Sequence, residues 1–152
     1  GYTHLHFLYI GDGILLDSLK KKAIKLKINN VEFLGRVQRK YIPSYINLSN
    51  ILVANYLPND YLDICIPGKI FEYAISNRPI IMGSQGEAKV MIEKYNLGIA
   101  VSPSSIDEFK KAVINISNNE YVHKPDLKNF TNNFSLKKIS KKYENIFSQL
   151  IN

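Results

Sequence analysis

Alternation of short apolar runs with helically spaced segments constrains this chain more than any other feature. The runs are 5–10, 31–34, 51–54, 80–82 and 99–101. Run 51–54 (Ile-Leu-Val-Ala) is apolar at every position, the pattern of a strand covered on both faces. Between the runs lie segments whose apolar residues recur at helical spacing. They cover about 14–27, from Tyr41 or Pro43 to Leu48, and then 69–76, 87–94 and 106–116. In the first of them, Leu15, Leu16, Leu19, Ala23 and Leu26 recur in this way, and Lys20, Lys21, Lys22 and Lys25 fill much of the rest.

Strands that alternate with helices make βαβ units, and these build a parallel sheet. The expected fold class is therefore α/β: a doubly wound parallel sheet of about five strands with helices on both faces. A closed barrel needs about eight such units, more than the sequence holds. At 152 residues the chain is expected to form a single domain over 1–152. Ser105, followed by Asp107 and Glu108, marks a helix start. Residues 118–133 are polar and read as irregular, and a closing helix over 136–151 carries Ile139, Tyr143, Ile146, Phe147 and Leu150 on one face.

In an open sheet of this kind, ligands bind beyond the carboxyl ends of the strands. The loops to watch are then 11–13, 35–39, 55–68 and 83–86. Loop 55–68 is long for a compact domain, which points to function. Gly11-Asp12-Gly13 closes a strand and opens a helix, where glycines admit a phosphate and the helix start favours its charge. The dinucleotide fingerprint asks for a third glycine, and position 16 is Leu16. A plain tight turn accounts for the two glycines equally well.

Lys69 and Glu72 are three residues apart at the start of a helix, so they share a face. A cation and a carboxylate aimed at one crevice suit a nucleotide, with Lys69 on the phosphates and Glu72 accepting from two ribose hydroxyls. An ordinary surface salt bridge, worth about 0–1 kcal/mol, is the other account of the same pair.

Charge and cysteine content narrow the partners. The net charge is +7, from 20 Lys+Arg against 13 Asp+Glu, which favours polyanionic ligands. Only Arg36, Arg39 and Arg78 are arginine. Without arginines and aromatics interleaved among the lysines, nucleic acid is not the expected partner. The single cysteine, Cys65, excludes an internal disulfide framework and a Cys-rich zinc site. His4 and His6 lack a third ligand, and no metal site is expected. No run reaches the roughly 18 apolar residues of a membrane span, and the start lacks a leader pattern. The expected location is the cytoplasm, with the Lys20–Lys27 run either a solvated face or a contact to anionic lipid at the inner membrane surface.

The ordered set of motifs is more specific than any one of them. Leu8-Tyr9-Ile10-Gly11-Asp12-Gly13 is similar to a strand and turn "ivGdG". Val31 to Val37 is similar to "v-x-f-l-G-x-v". Pro67 to Ala74 with Arg78-Pro79-Ile80-Ile81 is similar to "P-x-K-x-x-E-y-x-A-x-x-x-P-v-i", and Leu97 to Pro103 to "x-G-i-x-v-x-p". In this order they resemble the C-terminal, donor-binding half of GT-B glycosyltransferases of the large retaining family 4, or group 1.

That resemblance implies a Rossmann-like domain that binds a nucleotide sugar, UDP- or GDP-linked, as substrate, with no cofactor or metal. By position it places Glu72 on the donor ribose. It puts Lys69, Gly68, Gly11 and Gly13 at the donor diphosphate, and the backbone of Arg36 and Val37 at the nucleobase. Asp63, Ile64 and Pro67 fall in the loop facing the transferred sugar. It implies a retaining enzyme building a bacterial surface glycan (capsule, lipopolysaccharide or exopolysaccharide). The acceptor, a glycan or lipid-linked glycan, would bind on an N-terminal domain, and no catalytic residue is assigned within these residues. The fragment alone is expected to transfer nothing.

Two departures stand out. The common family pattern has a pair of glutamates, and the earlier one would fall on Ile64. The family's domain also opens with a strand, mid-sheet, whose Arg and Lys clamp the diphosphate, and nothing matching it precedes Gly11. The sheet is expected either to close that gap by pairing its strands anew or to leave it. A nucleotide-sugar epimerase half and a non-catalytic phosphate-binding or interaction module are the alternative functions.

Overall fold

Hydrogen-bonded ladders form on the same five apolar runs. In the computed structural model, which describes residues 4–58 and 63–151, the strands are β1 (Phe7–Ile10), β2 (Val31–Gly35), β3 (Leu52–Asn55), β4 (Ile80–Gly83) and β5 (Gly98–Val101). The helices are α1 (Leu16–Lys25), α2 (Ile42–Leu48), α3 (Gly68–Ile75), α4 (Glu87–Lys94), α5 (Ile106–Ser117), α6 (Leu127–Phe134) and α7 (Leu136–Ile151). Among the described residues all pairing is parallel, so the α/β class holds. The ladders make two sheets, β1-β2 and β3-β4-β5.

The chain divides into two compact units, the first ending at Tyr45 and the second beginning at Ile46. In the first, β1 runs beside β2 with Phe7 opposite Val31 and Ile10 opposite Gly35. Tyr9 and Phe33 stack across the pair with ring centroids 5.6 Å apart. No described residue of this unit is buried.

The second unit holds the core. Every residue of β4 is buried, because this central strand has neighbours on both edges and α4 and α5 lie against it. Strand β3 departs from the expectation of full burial. Leu52 and Ala54 point inward, whereas Val53 is 39% exposed. The helices α4 and α5 pack on β4 and β5, which leaves β3 at the less covered edge, where an apolar run alternates in and out.

Helices α1, α3, α4 and α5 are each followed by a residue with left-handed backbone: Lys27, Asn77, Asn96 and Asn119. Asn tolerates that conformation well, and three of the four positions use it. After α4, the Leu97 amide donates back to Ile92 O at 2.9 Å and turns the chain directly into β5. At the other end of α5, Ser105 Oγ accepts from the Glu108 amide at 3.2 Å. The Glu108 carboxylate accepts from the Ser102 amide at 2.8 Å.

The expectation of an irregular 118–133 is corrected by α6. Its residues include Asn129, Thr131, Asn132 and Asn133, poor helix formers. Tertiary packing overrides them. Phe130 is buried, and Phe71, Tyr95, Phe130 and Phe134 form one aromatic cluster with centroids 5.1–6.0 Å apart. That cluster clamps α3, through Phe71, to α4 and α6. The closing helix forms where expected, yet Tyr143, Ile146, Phe147 and Leu150 on its apolar face stay exposed.

Candidate functional site

The second unit gathers its candidate residues at the carboxyl edge of β3-β4-β5. Pro67, with φ −63° and ψ 135°, is extended and sits just before α3, where its missing N–H costs nothing. Its carbonyl accepts from the Ile70 amide at 3.0 Å. Ile70 and Ala74 anchor α3 in the core. Helical periodicity then turns Lys69 and Glu72 outward, and both are exposed.

The two do not bond to each other: among the described residues no ion pair joins Lys69 and Glu72. The Lys69 ammonium instead lies 5.2 Å from the centroid of the Tyr56 ring. Tyr73, one turn along from Lys69, completes the group. Burial pushes the Tyr73 phenol up, with the Lys69 charge opposing and the Tyr56 and Glu72 charges adding to it. Burial pushes the Tyr56 phenol up as well. Both phenols are neutral around pH 7, so the cluster is one cation and one carboxylate set among neutral aromatic groups.

Beside this group a small cleft opens at the strand ends, lined among others by Tyr56, Asp63, Pro67, Gly83, Ser84 and Pro103. Ser84 is buried, 6% exposed, and its Oγ accepts from the Gly86 amide at 3.4 Å. Gly86 is the residue before α4. A side chain there would run into the backbone of Asp63, so only glycine lets the loop lie this close to the helix start. Gly83 is similarly crowded, by the Asn55 side chain.

Of the three residues expected in the donor-sugar loop, Asp63 and Pro67 line the cleft. Ile64 is 74% exposed and is not among the lining residues. Gly68, with open space where a Cβ would stand, opens α3 next to Lys69. The part of the expected loop at 59–62 lies outside the described residues.

The first unit gathers the remaining candidates at its own carboxyl edge. The Gly11 amide donates to Gly35 O at 2.8 Å, just past the Ile10–Gly35 pair. Both glycines need positive φ, +141° and +67°, which other residues rarely adopt. Gly13 O accepts from the Leu16 amide at 3.0 Å and starts α1. Arg36 is exposed and Val37 half-buried, directly after β2. Gly11, Gly13, Arg36 and Val37 are therefore neighbours at one sheet edge.

Sequence reasoning missed Tyr56. Its signal was modest: an aromatic residue directly after the third apolar run, at the end of the sheet where ligands bind. Cys65 is a half-buried free thiol in the loop. His6 pairs with Glu32 at 3.3 Å on the surface of the β1-β2 pair. Among the described residues no group of His, Cys, Asp and Glu could hold a metal, and no helix is long and apolar enough to cross a membrane.

Comparison with known proteins gives the geometry its context. The family model for glycosyl transferases of group 1 matches residues 2–119. Two uncharacterized glycosyltransferases of the archaeon Methanocaldococcus jannaschii align over 95% of the chain, at 28% and 23% identity. The chain spans only 37% and 41% of their lengths. The match runs through both strand edges and α3, from before β1 to beyond α5, and the chain belongs to the group 1 glycosyltransferases.

Proposed function

We propose that these residues form the nucleotide-sugar-binding part of a retaining glycosyltransferase that builds a surface glycan of the bacterial kind. The observation that carries the reading is the state of α3. Lys69 and Glu72 stand on its exposed face at the carboxyl edge of the sheet without bonding to each other. A surface salt bridge, the competing account of the pair, is not formed. Each group is free to meet a ligand of opposite chemistry: a diphosphate for the ammonium, a pair of vicinal hydroxyls for the carboxylate.

In this reading Lys69 and the start of α3 at Gly68 draw the diphosphate, and within the first unit the turn at Gly11 and Gly13 offers a phosphate-binding helix start of its own. Charge building on the leaving diphosphate is met by these fixed dipoles and the cation. The backbone of Arg36 and Val37 takes the base, and Asp63 and Pro67 border the transferred sugar. The donor is UDP- or GDP-linked. The acceptor, a glycan or lipid-linked glycan, is bound by a part of the enzyme that these residues do not span, at the cytoplasmic face of the membrane.

Calorimetric titration with UDP, GDP and ADP tests the reading. One nucleotide is expected to bind, and Glu72→Ala is expected to weaken it by about 1–3 kcal/mol, the scale for hydrogen bonds to a charged group. That corresponds to roughly 5- to 150-fold in Kd. Binding that Glu72→Ala leaves unchanged would turn the assignment towards a generic phosphate-binding module.

A further inference from the structure

We propose that Tyr56 is the positioning residue for Lys69, its ring holding the ammonium at the mouth of the cleft so that the cation is pre-set for the donor diphosphate. The proposal rests on the donor-site reading and adds a residue to it. Four observations carry it. Lys69 Nζ lies 5.2 Å from the Tyr56 centroid, within the roughly 6 Å over which a ring face attracts a cation. Among the described residues no carboxylate lies within ion-pair distance of Lys69. The backbone that carries the ring is anchored, because the Tyr56 amide donates to Gly83 O at 3.4 Å and extends the β3-β4 ladder by one residue. Finally, Tyr56 lines the same cleft as Asp63 and Pro67.

The physical need is plain. A lysine stem carries rotamer entropy, which a free side chain would lose on gripping a ligand. A carboxylate partner would hold the ammonium but also neutralise it. An aromatic face holds it and leaves the charge available. A phenol is protonated near neutral pH, and burial pushes that of Tyr56 further up, so the ring is no competing anion there.

The test uses the 152-residue chain, titrated with UDP and GDP and with uridine and guanosine. Tyr56→Leu is expected to weaken the nucleoside diphosphate about 2- to 30-fold, the range a cation–ring contact spans. It should leave the nucleoside unaffected. Tyr56→Phe keeps the face and should bind as the wild type does. In a Lys69→Ala background Tyr56→Leu should cost nothing more, because coupled residues are not additive.

A second readout needs no substitution that threatens the fold. The Lys69 Cε protons should be shifted upfield by the ring current relative to the other lysines, in the wild type and in Tyr56→Phe. The proposal is overturned by an unshifted Lys69, by a Tyr56→Leu loss equal for nucleoside and diphosphate, or by a loss that persists without Lys69. Failure of the wild type to bind any of the four ligands would overturn the donor-site reading itself and this proposal with it. Binding with a shifted Lys69 and selective loss upholds both.

Discussion

His123 ties the stability of the molecule to pH. Both of its ring nitrogens are buried without a hydrogen-bond partner, and Tyr121 lies beside it with centroids 6.1 Å apart. Burial lowers its pKa; the Asn77 backbone, near but not in hydrogen-bond geometry, opposes the shift in part. The surrounding segment is pinned to the sheet, because Tyr121 donates to Gly98 O at 3.3 Å and Asn96 Nδ2 to Lys124 O at 2.8 Å. A histidine whose folded pKa is depressed is neutral in both states at high pH. Below its ordinary value near 6.5 the unfolded chain takes up the proton first, so folding loses stability as pH falls through that value towards the folded pKa. Urea midpoints should decline from pH 7 to pH 5.5, and His123→Phe should flatten that stretch. An unchanged slope in the variant would assign the decline to other groups.

Elements were legible in the sequence wherever local pattern and packing agree. Strands β1 to β5, the closing helix and the Ser105 cap fall where apolar runs and capping residues place them. Lys69 and Glu72 were legible too, because helical spacing alone puts them on one face. What was not legible depends on contacts between distant segments. Helix α6 forms against its composition because Phe130 and Phe134 dock on Phe71 and Tyr95; Asp126, accepting from the Asn129 amide at 3.2 Å, was its one local signal. The neighbourhood of Tyr56 and Lys69 likewise joins residues from two elements, and no spacing rule links them. Gly86 belongs to the same class. Its neighbours in sequence suggest a helix start, but its reason for being glycine is the Asp63 backbone packed against it. Gly86→Ala should therefore force loop and helix apart, at about 1–3 kcal/mol for overpacking against backbone. Thermal unfolding should show that loss. An unchanged melting temperature would mean that the loop yields freely.

Across the molecule the two units differ in how they are held. Among the described residues every buried side chain belongs to the unit that begins at Ile46, from Ile46 itself to Phe130. In the other unit Phe7, Leu8, Tyr9, Leu15 and Ile24 remain exposed, and its sheet has two strands. A two-stranded sheet is marginal in water unless something packs on it. Local opening free energies range from near zero, where few apolar contacts are buried, to the global value in a core strand. Native-state hydrogen exchange on this chain should therefore separate the sheets. Amides of β1 and β2 should exchange through low-energy local opening, insensitive to small amounts of denaturant. Amides of β4, buried at every residue, should exchange only through global unfolding and converge on its denaturant dependence. If both sheets instead shared one opening energy and one denaturant slope, the first unit would be as firmly held as the core. The placement of Gly11, Gly13, Arg36 and Val37 within their own unit would then be as rigid as that of Lys69 and Glu72 within theirs.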